Sequence, residues 1–229
     1  METLKKQPIR HLRKPADIIK LKPEKNPYST KIFEYKDYIW FDGKEEAAGF
    51  ADFAKGPLVV DLGCGSGNFM RQYALHAPEK NFVGFELRFK RLVLGAKKYK
   101  KDGHTNIRLI RDMAEQVDHW FEPESIELIH VNFPDPWPKK RHHKNRLIQP
   151  SFLDSLHRLL ETGGRFVFKT DHSEYFETSL EILTQDNRFE VKNLTRDLHN
   201  TEIFNFYTEF ELLFKSQGLP VNYVELQKK

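Results

Sequence analysis

A short apolar segment that runs directly into a glycine-rich turn limits the folds open to this chain more than any other feature. Leu58-Val59-Val60-Asp61-Leu62 is almost wholly apolar, and Gly63-Cys64-Gly65-Ser66-Gly67-Asn68 follows without a break. Such a run is typical of a parallel strand buried on both faces, and a helical pattern follows from Phe69 to about His76. Strand, turn and helix in this order predict the first unit of an α/β sheet.

The same alternation continues along the chain. Further apolar strand patterns lie at residues 81–86, 107–110, 126–131 and 165–169. Helical patterns lie at residues 87–101, 147–160 and 173–185, the last with Ser173 as its predicted cap. Two further runs, 189–194 and 209–226, are predicted to be β-rich. Alternating strands and helices predict an α/β fold with a mostly parallel, seven-stranded sheet and helices on both faces.

The composition favours one domain with a basic extension. At 229 residues the chain is long enough for a single core, and residues 1–30 are rich in Lys and Pro and poor in apolar periodicity. We therefore expect a basic extension at 1–30 and one domain at 31–229. The net charge is only +4, yet basic residues cluster at Lys5–Lys25, Arg88–Lys101 and Lys139–Arg146. These clusters either form one positive face or remain three unrelated solvated segments.

Cysteine content and hydropathy exclude several classes of protein. Cys64 is the only cysteine, so an internal disulfide and a multi-cysteine metal site are excluded. His142 and His143 are adjacent rather than at ligand spacing, and no metal is expected. No run of about 18 apolar residues indicates a membrane span. The polar, basic N-terminus lacks the apolar region of a secretory signal, so a cytoplasmic location is expected.

Every predicted parallel strand leads into a carboxylate. In open α/β sheets ligands bind beyond the carboxyl ends of the strands, so these acids are expected along one edge. A lone acid there can simply form a turn or cap a helix. Five of them favour a shared ligand site, and they are Asp61, Glu86, Asp112, Asp135 and Asp171.

The glycine-rich turn differs from a phosphate-binding loop. Gly63, Gly65 and Gly67 let a ligand approach the backbone closely, but Asn68 follows directly and the dinucleotide spacing G-x-G-x-x-G is not met. The Gly-Lys-Ser/Thr of a P-loop is also missing. A carboxylate just before the turn, Asp61, would repel a pyrophosphate and attract an ammonium group.

The next two acids suit the other parts of a nucleoside ligand. Glu86 can accept hydrogen bonds from ribose hydroxyls, and Asp112 can accept one from an adenine amino group. An ammonium group, a ribose and an adenine together describe S-adenosylmethionine. The sequence therefore predicts S-adenosylmethionine as the bound cofactor.

A stiff loop with an acid and a basic run follows the fourth predicted strand. Residues 133–138 read Phe-Pro-Asp-Pro-Trp-Pro, and the three prolines fix φ and exclude a helix or a central strand. Trp137 can stack on a base or pack beneath the loop. The basic residues that follow predict a contact with a polyanion, and they are Lys139, Lys140, Arg141, Lys144 and Arg146. The Phe-rich segment from Ile203 to Phe214 is predicted to belong to the core.

From about residue 30 to 226 the chain resembles the tRNA (guanine-N7)-methyltransferases of bacterial type. The resemblance is carried by Val60–Gly67, Gly84–Glu86, Arg111–Ala114, Phe133–Lys139, Lys169–Asp171 and Thr208–Glu211. The Pro-Asp-Pro-Trp segment followed by basic residues is its most specific part. The resemblance implies a Rossmann-like class I S-adenosylmethionine-dependent methyltransferase fold. It also implies methyl transfer to N7 of a guanine in tRNA, at position 46 in the variable loop.

The resemblance also implies roles for individual residues. It implies cofactor contacts from Asp61, Gly63, Gly65, Gly67, Glu86, Asp112 and Asp135, with Asp135 as the catalytic residue. It implies contacts to guanine or RNA from Lys139, Asp171, Thr208, Glu209, Phe210 and Glu211. The chain departs from the family's pattern in three places: Asp61 stands where Glu is common, Glu209 stands where a basic residue is frequent, and residues 216–219 lack a frequent arginine.

Four other functions compete with this hypothesis. A dehydrogenase is disfavoured by the glycine spacing and by Asp61, and a non-catalytic RNA-binding module leaves the five acids without a use. A small-molecule methyltransferase leaves the basic clusters without a use. A methyltransferase acting on another RNA remains open, and so does the choice between a monomer and a homodimer.

Overall fold

The computed structural model describes residues 28, 31–40, 53 and 56–229. The predicted extension, residues 1–30, lies outside the described residues except for Tyr28. The described strands are β1 (Ile39–Trp40), β2 (Leu58–Leu62), β3 (Asn81–Phe85), β4 (Ile107–Ile110), β5 (Ile126–Asn132), β6 (Leu160–Thr170), β7 (Phe189–Thr195) and β8 (Asn222–Lys228). The described α-helices are α1 (Asn68–His76), α2 (Phe89–Asp102), α3 (Pro150–Leu159), α4 (Ser173–Gln185) and α5 (Glu209–Ser216).

All these strands form one mixed sheet. Their order is β1-β4-β3-β2-β5-β6-β8-β7. The pairs from β1 to β6 are parallel, and β8 runs antiparallel to both β6 and β7. The predicted, mostly parallel α/β sheet is therefore confirmed. Among the described residues the sheet has eight strands rather than seven, because the two-residue strand β1 pairs with β4 at the edge.

Two apolar clusters cover the faces of the sheet. Successive residues of β2 alternate between them, since Val59 belongs to one cluster while Leu58 and Val60 belong to the other. Helices α1 and α2 supply Phe69 and Tyr99 to the cluster of Val59, and α3 and α4 pack into the other. Burial on both faces explains why β2 is a continuous apolar run rather than an alternating one.

The C-terminal segment departs from the prediction. Residues 209–216 form helix α5 instead of a strand, and only the later part of the run, Asn222–Lys228, is extended. The reason is local: the Thr208 side chain accepts from the backbone N–H of Glu211, and the Glu211 carboxylate accepts from the N–H of Thr208. This reciprocal capping box starts a helix that the apolar residues alone did not reveal.

Two smaller predictions are also corrected. The Phe-rich segment from Ile203 to Phe214 is not uniformly core, because Phe204 is 78% exposed and Phe210 is 48% exposed. Ser173 is the first residue of α4 rather than its cap. The cap is His172, whose ring accepts from the N–H of Tyr175 at 3.2 Å.

Candidate active site

Five acids lie at one edge of the sheet. The strands β4, β3, β2, β5 and β6 are neighbours and run parallel, so their carboxyl ends meet there. Asp61 is the penultimate residue of β2, and the other acids follow their strands by one to three positions. The topology thus brings together the acids selected from the sequence, in the order Asp112, Glu86, Asp61, Asp135 and Asp171.

Asp61 is a buried carboxyl group with an altered pKa. Only 2% of the residue is exposed, and the Nδ2 of Asn132 donates to its Oδ1 at 3.0 Å. Burial raises the pKa of Asp61 from 3.8 to about 7, and the charge of Glu86 adds to this, while the Asn132 hydrogen bond and the charge of Lys169 oppose it. The group is consequently poised between its neutral and ionised forms near neutral pH.

Asn132 completes an acceptor pair that the sequence analysis missed. Its Oδ1 is buried and has no hydrogen-bond partner among the described residues. A buried amide oxygen without a donor is unfavourable, and an ammonium group bound beside Asp61 would supply that donor. The amino-acid end of S-adenosylmethionine therefore fits this pair. The polar residue that ends strand β5 was the available signal.

The glycine turn is held against the end of β3. The N–H groups of Gly63 and Cys64 both donate to the carbonyl of Phe85, at 3.0 and 2.9 Å. Gly67 has a φ of +71°, and a Cβ at this position would lie 1.6 Å from the hydroxyl of Tyr99. That hydroxyl donates to the carbonyl of Gly67 at 3.0 Å. Residue 67 must therefore be glycine for both conformational and steric reasons.

Burial raises the pKa of the Cys64 thiol well above its usual value, with the nearby charges of Asp61 and Glu86 acting in the same direction. A thiol that resists ionisation is a poor nucleophile. The residue is better explained by packing within the turn, since its side chain lies against the position that a Cβ on Gly84 would occupy.

The next two acids are oriented by nearby donors. Glu86 accepts from the N–H of Arg88 at 2.8 Å. One oxygen of Asp112 accepts from the N–H of Met113 at 2.8 Å, and the other accepts from the indole N–H of Trp120 at 2.9 Å. An ionised carboxylate has about four lone-pair sites, so both groups keep capacity for a ligand. Trp120 was not anticipated from the sequence, because it lies eight residues from its partner.

The Pro-Asp-Pro-Trp loop presents its acid to solvent. Asp135 is exposed, and its carboxylate has no hydrogen-bond partner among the described residues. Phe133 and Trp137 flank it with φ values of +53° and +44°, which are unusual for side chains of this size. Trp137 is half-buried and meets the ring of His142 edge-on at 5.8 Å.

The basic run divides into exposed and buried members. Its exposed cations lie on or beside the 3₁₀ helix Lys140–Asn145, and they are Lys139, Lys140, Arg141 and Lys144. Arg146 was predicted to contact a polyanion, but it is 5% exposed and bound inside the protein. Its guanidinium donates to the carbonyl of Pro136 at 2.8 Å and to the carboxylate of Glu174 at 2.7 and 3.2 Å. It therefore ties the loop to helix α4.

The residues of the C-terminal motif Thr208–Glu211 also divide into buried and exposed members. Glu211 is fully buried and pairs with the buried Lys169 at 2.8 Å, and with Thr208 it forms the capping box of α5. Those side chains are occupied by the protein itself. Glu209 and Phe210 are exposed, and so is Asp171 after β6. Phe210 and Asp171 are thus the members that the structure leaves available to a substrate, because the carboxylate of Glu209 accepts from Ser66 and Asn68.

Within the part of the chain that the structure describes, the longest α-helix is α2, with 14 residues, and no helix is both long and apolar enough to cross a membrane.

Comparisons with known proteins identify the family. A family model described as "Putative methyltransferase" matches residues 55–223. A bifunctional glycosyltransferase/methyltransferase of Fusobacterium nucleatum is 38% identical over 89% of this chain, which spans only 33% of that protein. A geranyl diphosphate C-methyltransferase from Streptomyces coelicolor, solved with S-adenosyl-L-homocysteine, shares the fold with a TM-score of 0.52 and 14% identity over 81% of this chain and 76% of its own. A tRNA (guanine-N(7)-)-methyltransferase of Mycoplasma genitalium is 40% identical over 78% of this chain and 88% of its own length. The chain therefore belongs to the tRNA (guanine-N(7)-)-methyltransferase family.

Proposed function

We propose that this protein transfers a methyl group from S-adenosylmethionine to N7 of a guanine in tRNA, at position 46 in the variable loop. The observation that carries the proposal is the buried acceptor pair of Asp61 and Asn132, at the sheet edge where the Pro-Asp-Pro-Trp loop and its exposed cations also lie. The similarity to the Mycoplasma enzyme supports the choice of tRNA.

The cofactor is assigned to the carboxyl ends of β2, β3, β4 and β5. Asp61 and Asn132 bind its ammonium group, Glu86 accepts from the ribose hydroxyls and Asp112 accepts from the adenine amino group. The turn that includes Gly63, Gly65 and Gly67 lets the backbone approach the ligand closely. When bound, S-adenosylmethionine supplies an electrophilic methyl group on a sulfonium.

The chemistry requires alignment more than proton transfer. Guanine N7 carries an in-plane lone pair and attacks without prior deprotonation. Holding two reactants in line can contribute up to roughly 7–11 kcal/mol. The guanine ring gains positive charge as the bond forms, and the exposed, unpaired carboxylate of Asp135 stabilises that charge and positions the base.

The exposed cations bind the RNA. Lys139 and the 3₁₀ helix Lys140–Asn145 place four cations beside Asp135, where they meet phosphates of the substrate. Asp171 and Phe210 lie at the same edge and are assigned to the guanine or its neighbours. The protein acts in the cytoplasm as a monomer or a homodimer, and sedimentation with and without tRNA measures that state.

Single-turnover methyl transfer tests the assignment. Labelled S-adenosylmethionine is mixed with excess enzyme and unmodified bulk tRNA, and the label is mapped to one nucleotide. We expect N7-methylguanine at one position and a rate at least about 100-fold lower for Asp135→Asn. The control is Glu161→Gln, which alters an exposed acid in the first half of β6, far along that strand from Asp171.

Two outcomes would overturn parts of this proposal. Label that maps to another RNA, or to another atom of tRNA, would exclude the proposed reaction. An unchanged rate for Asp135→Asn with tRNA bound would remove the residue from the chemistry while leaving the reaction in place.

A further inference from the structure

Helix α1 lies directly under the segment that leads into α5. The Nε2 of Gln72 donates to the carbonyl of Tyr207 at 3.2 Å. The ring of Tyr73 stacks on Phe206, with centroids 4.5 Å apart and planes at 26°. His76, in the last turn of α1, meets Phe206 edge-on at 5.0 Å. The helix that begins at the glycine turn therefore supports Phe206 and Tyr207.

A cluster of polar side chains connects the first residue of α5 to the N-terminal end of α1. The carboxylate of Glu209 accepts from the hydroxyl of Ser66 at 3.1 Å and from the amide of Asn68. Lys98 of α2 lies 3.6 Å from Glu209 and donates to the Oδ1 of Asn68 at 2.5 Å. We call Ser66, Asn68, Lys98 and Glu209 the Glu209 latch. It joins the first residue of α5 to the glycine turn across 141 to 143 positions of sequence.

Stability alone does not account for this latch. Glu209 is 59% exposed and Lys98 is 32% exposed, and ion pairs at such exposed sites contribute little to folding. The contacts at position 209 also require an acidic side chain. A basic side chain at 209 would face the ammonium group of Lys98 and could not accept from Ser66. An acid in the first turn of α5 also suits the helix dipole.

Helix α5 also contacts the loop that carries Asp135. The rings of Phe210 and Phe214 lie 6.3 and 5.5 Å from that of Phe133, which precedes the Pro-Asp-Pro-Trp segment. A displacement of α5 would consequently reach this loop, and a displacement of the glycine turn would reach α5 through Glu209.

We propose that Glu209 is a positioning residue that couples the cofactor turn to the guanine side of the site. When the cofactor orders the turn, the latch holds α5 and Phe210 in place beside the Pro-Asp-Pro-Trp loop. This inference rests on the proposed function for the identity of the second ligand. Because coupling is reciprocal, bound tRNA must strengthen cofactor binding by the same factor.

Hydrogen exchange with S-adenosylhomocysteine as the probe tests the latch without RNA. In the wild type we expect S-adenosylhomocysteine to slow amide exchange in residues 205–216. In Glu209→Ala this protection is lost in α5 but kept in residues 63–68. The matched control is Glu202→Ala, which removes an exposed glutamate from the same segment and keeps the protection in α5.

A calorimetric titration adds the second ligand. S-adenosylhomocysteine affinity is measured with and without unmodified tRNA, and we expect at least about a 5-fold increase with tRNA in the wild type. In Glu209→Ala and in Glu209→Lys we expect tRNA to leave the affinity for S-adenosylhomocysteine nearly unchanged. The increase with tRNA should return when Glu209→Lys is combined with Lys98→Glu. Without tRNA, the affinity of each variant for S-adenosylhomocysteine should differ from that of the wild type by less than about 3-fold.

The outcomes separate the two proposals. Unchanged protection of α5 in Glu209→Ala overturns the latch, even if the enzyme methylates tRNA normally. A wild type that protects α5 with S-adenosylhomocysteine but neither binds nor methylates tRNA supports the latch and overturns the proposed function.

Discussion

At the scale of single residues, burial strongly raises the pKa of Asp61. Its pKa of about 7 means that folding keeps a proton on a group that ionises near 3.8 when exposed. The stability contributed by the neutral form is complete below about pH 4 and is lost as the pH rises through about 7. At about 1.4 kcal/mol for each pH unit between the two pKa values, the ionised form costs up to about 4 kcal/mol.

Cofactor binding should therefore depend on pH. Because an ammonium group binds the ionised carboxylate, we expect the affinity for S-adenosylhomocysteine to rise between about pH 5.5 and 7.5, by up to about tenfold per pH unit below the pKa of Asp61. In Asp61→Asn the affinity should be weaker and nearly constant over that range. Calorimetry across the range measures both proteins. A flat profile for the wild type would contradict the assignment of Asp61 to the ammonium group.

At the scale of elements, one buried arginine determines how the Pro-Asp-Pro-Trp loop is held. Arg146 connects the carbonyl of Pro136 to Glu174 and Thr178 of α4, and its guanidinium lies 4.8 Å from the centre of the Tyr175 ring. Three prolines make the loop stiff, and the arginine fixes that stiff loop to a helix. Sequence reasoning assigned this residue to RNA, since nothing in the basic run distinguishes it from its neighbours.

Arg146→Lys tests this anchoring role. A lysine lacks the planar fork that bonds Pro136 and Glu174 together, so we expect kcat to fall about tenfold or more. The affinity for S-adenosylhomocysteine should change less than about twofold, because Arg146 bonds to Pro136, Glu174 and Thr178 and to none of the proposed cofactor acceptors. Thermal unfolding should show a loss of about 1–3 kcal/mol.

The control for Arg146→Lys is Arg141→Lys, which alters an exposed arginine of the same run and should leave kcat and stability nearly unchanged. If Arg146→Lys instead weakened tRNA binding while kcat stayed constant, the original assignment to RNA would be restored.

At the scale of the whole molecule, the placement of the charged residues matters more than the net charge. A net charge of +4 says little about a polyanion partner. The structure separates acids at the strand ends from exposed cations on the adjacent 3₁₀ helix, so carboxylates and cations occupy different places along one edge of the sheet. That separation allows two ligands of different charge to meet at one edge.

The salt dependence of tRNA binding tests whether the exposed cations of the 3₁₀ helix contact phosphates of the RNA. We expect the double variant Lys140→Gln/Lys144→Gln to weaken binding and to reduce the slope of log affinity against log salt by about 1.4–1.8, at roughly 0.7–0.9 per phosphate contact. Lys192→Gln on the edge strand β7 is the control and should leave the slope unchanged. Equal slopes for all three proteins would place the RNA elsewhere.

The sheet, the glycine turn and the acids at the strand ends could all be predicted, because each depends on a local pattern of residues in the sequence. Val60 and its neighbours form a strand wherever both faces are covered, and parallel strands necessarily bring their carboxyl ends to one edge. Helix α5 was missed although Thr208 and Glu211 carried its signal, since the apolar residues between and after them also suit a strand.

Sequence alone determined that this chain forms an α/β sheet with carboxylates at the strand ends, because buried strands and tight turns require particular residue types. Only the tertiary structure decided which polar groups are exposed to solvent and which are paired within the protein. Arg146 and Glu211 are buried in pairs, while Asp135 and Lys140 are exposed. The physical reason is that a charged group is kept from water only by a suitable partner. For Arg146 and Glu211 that partner lies 28 and 42 positions away in the chain.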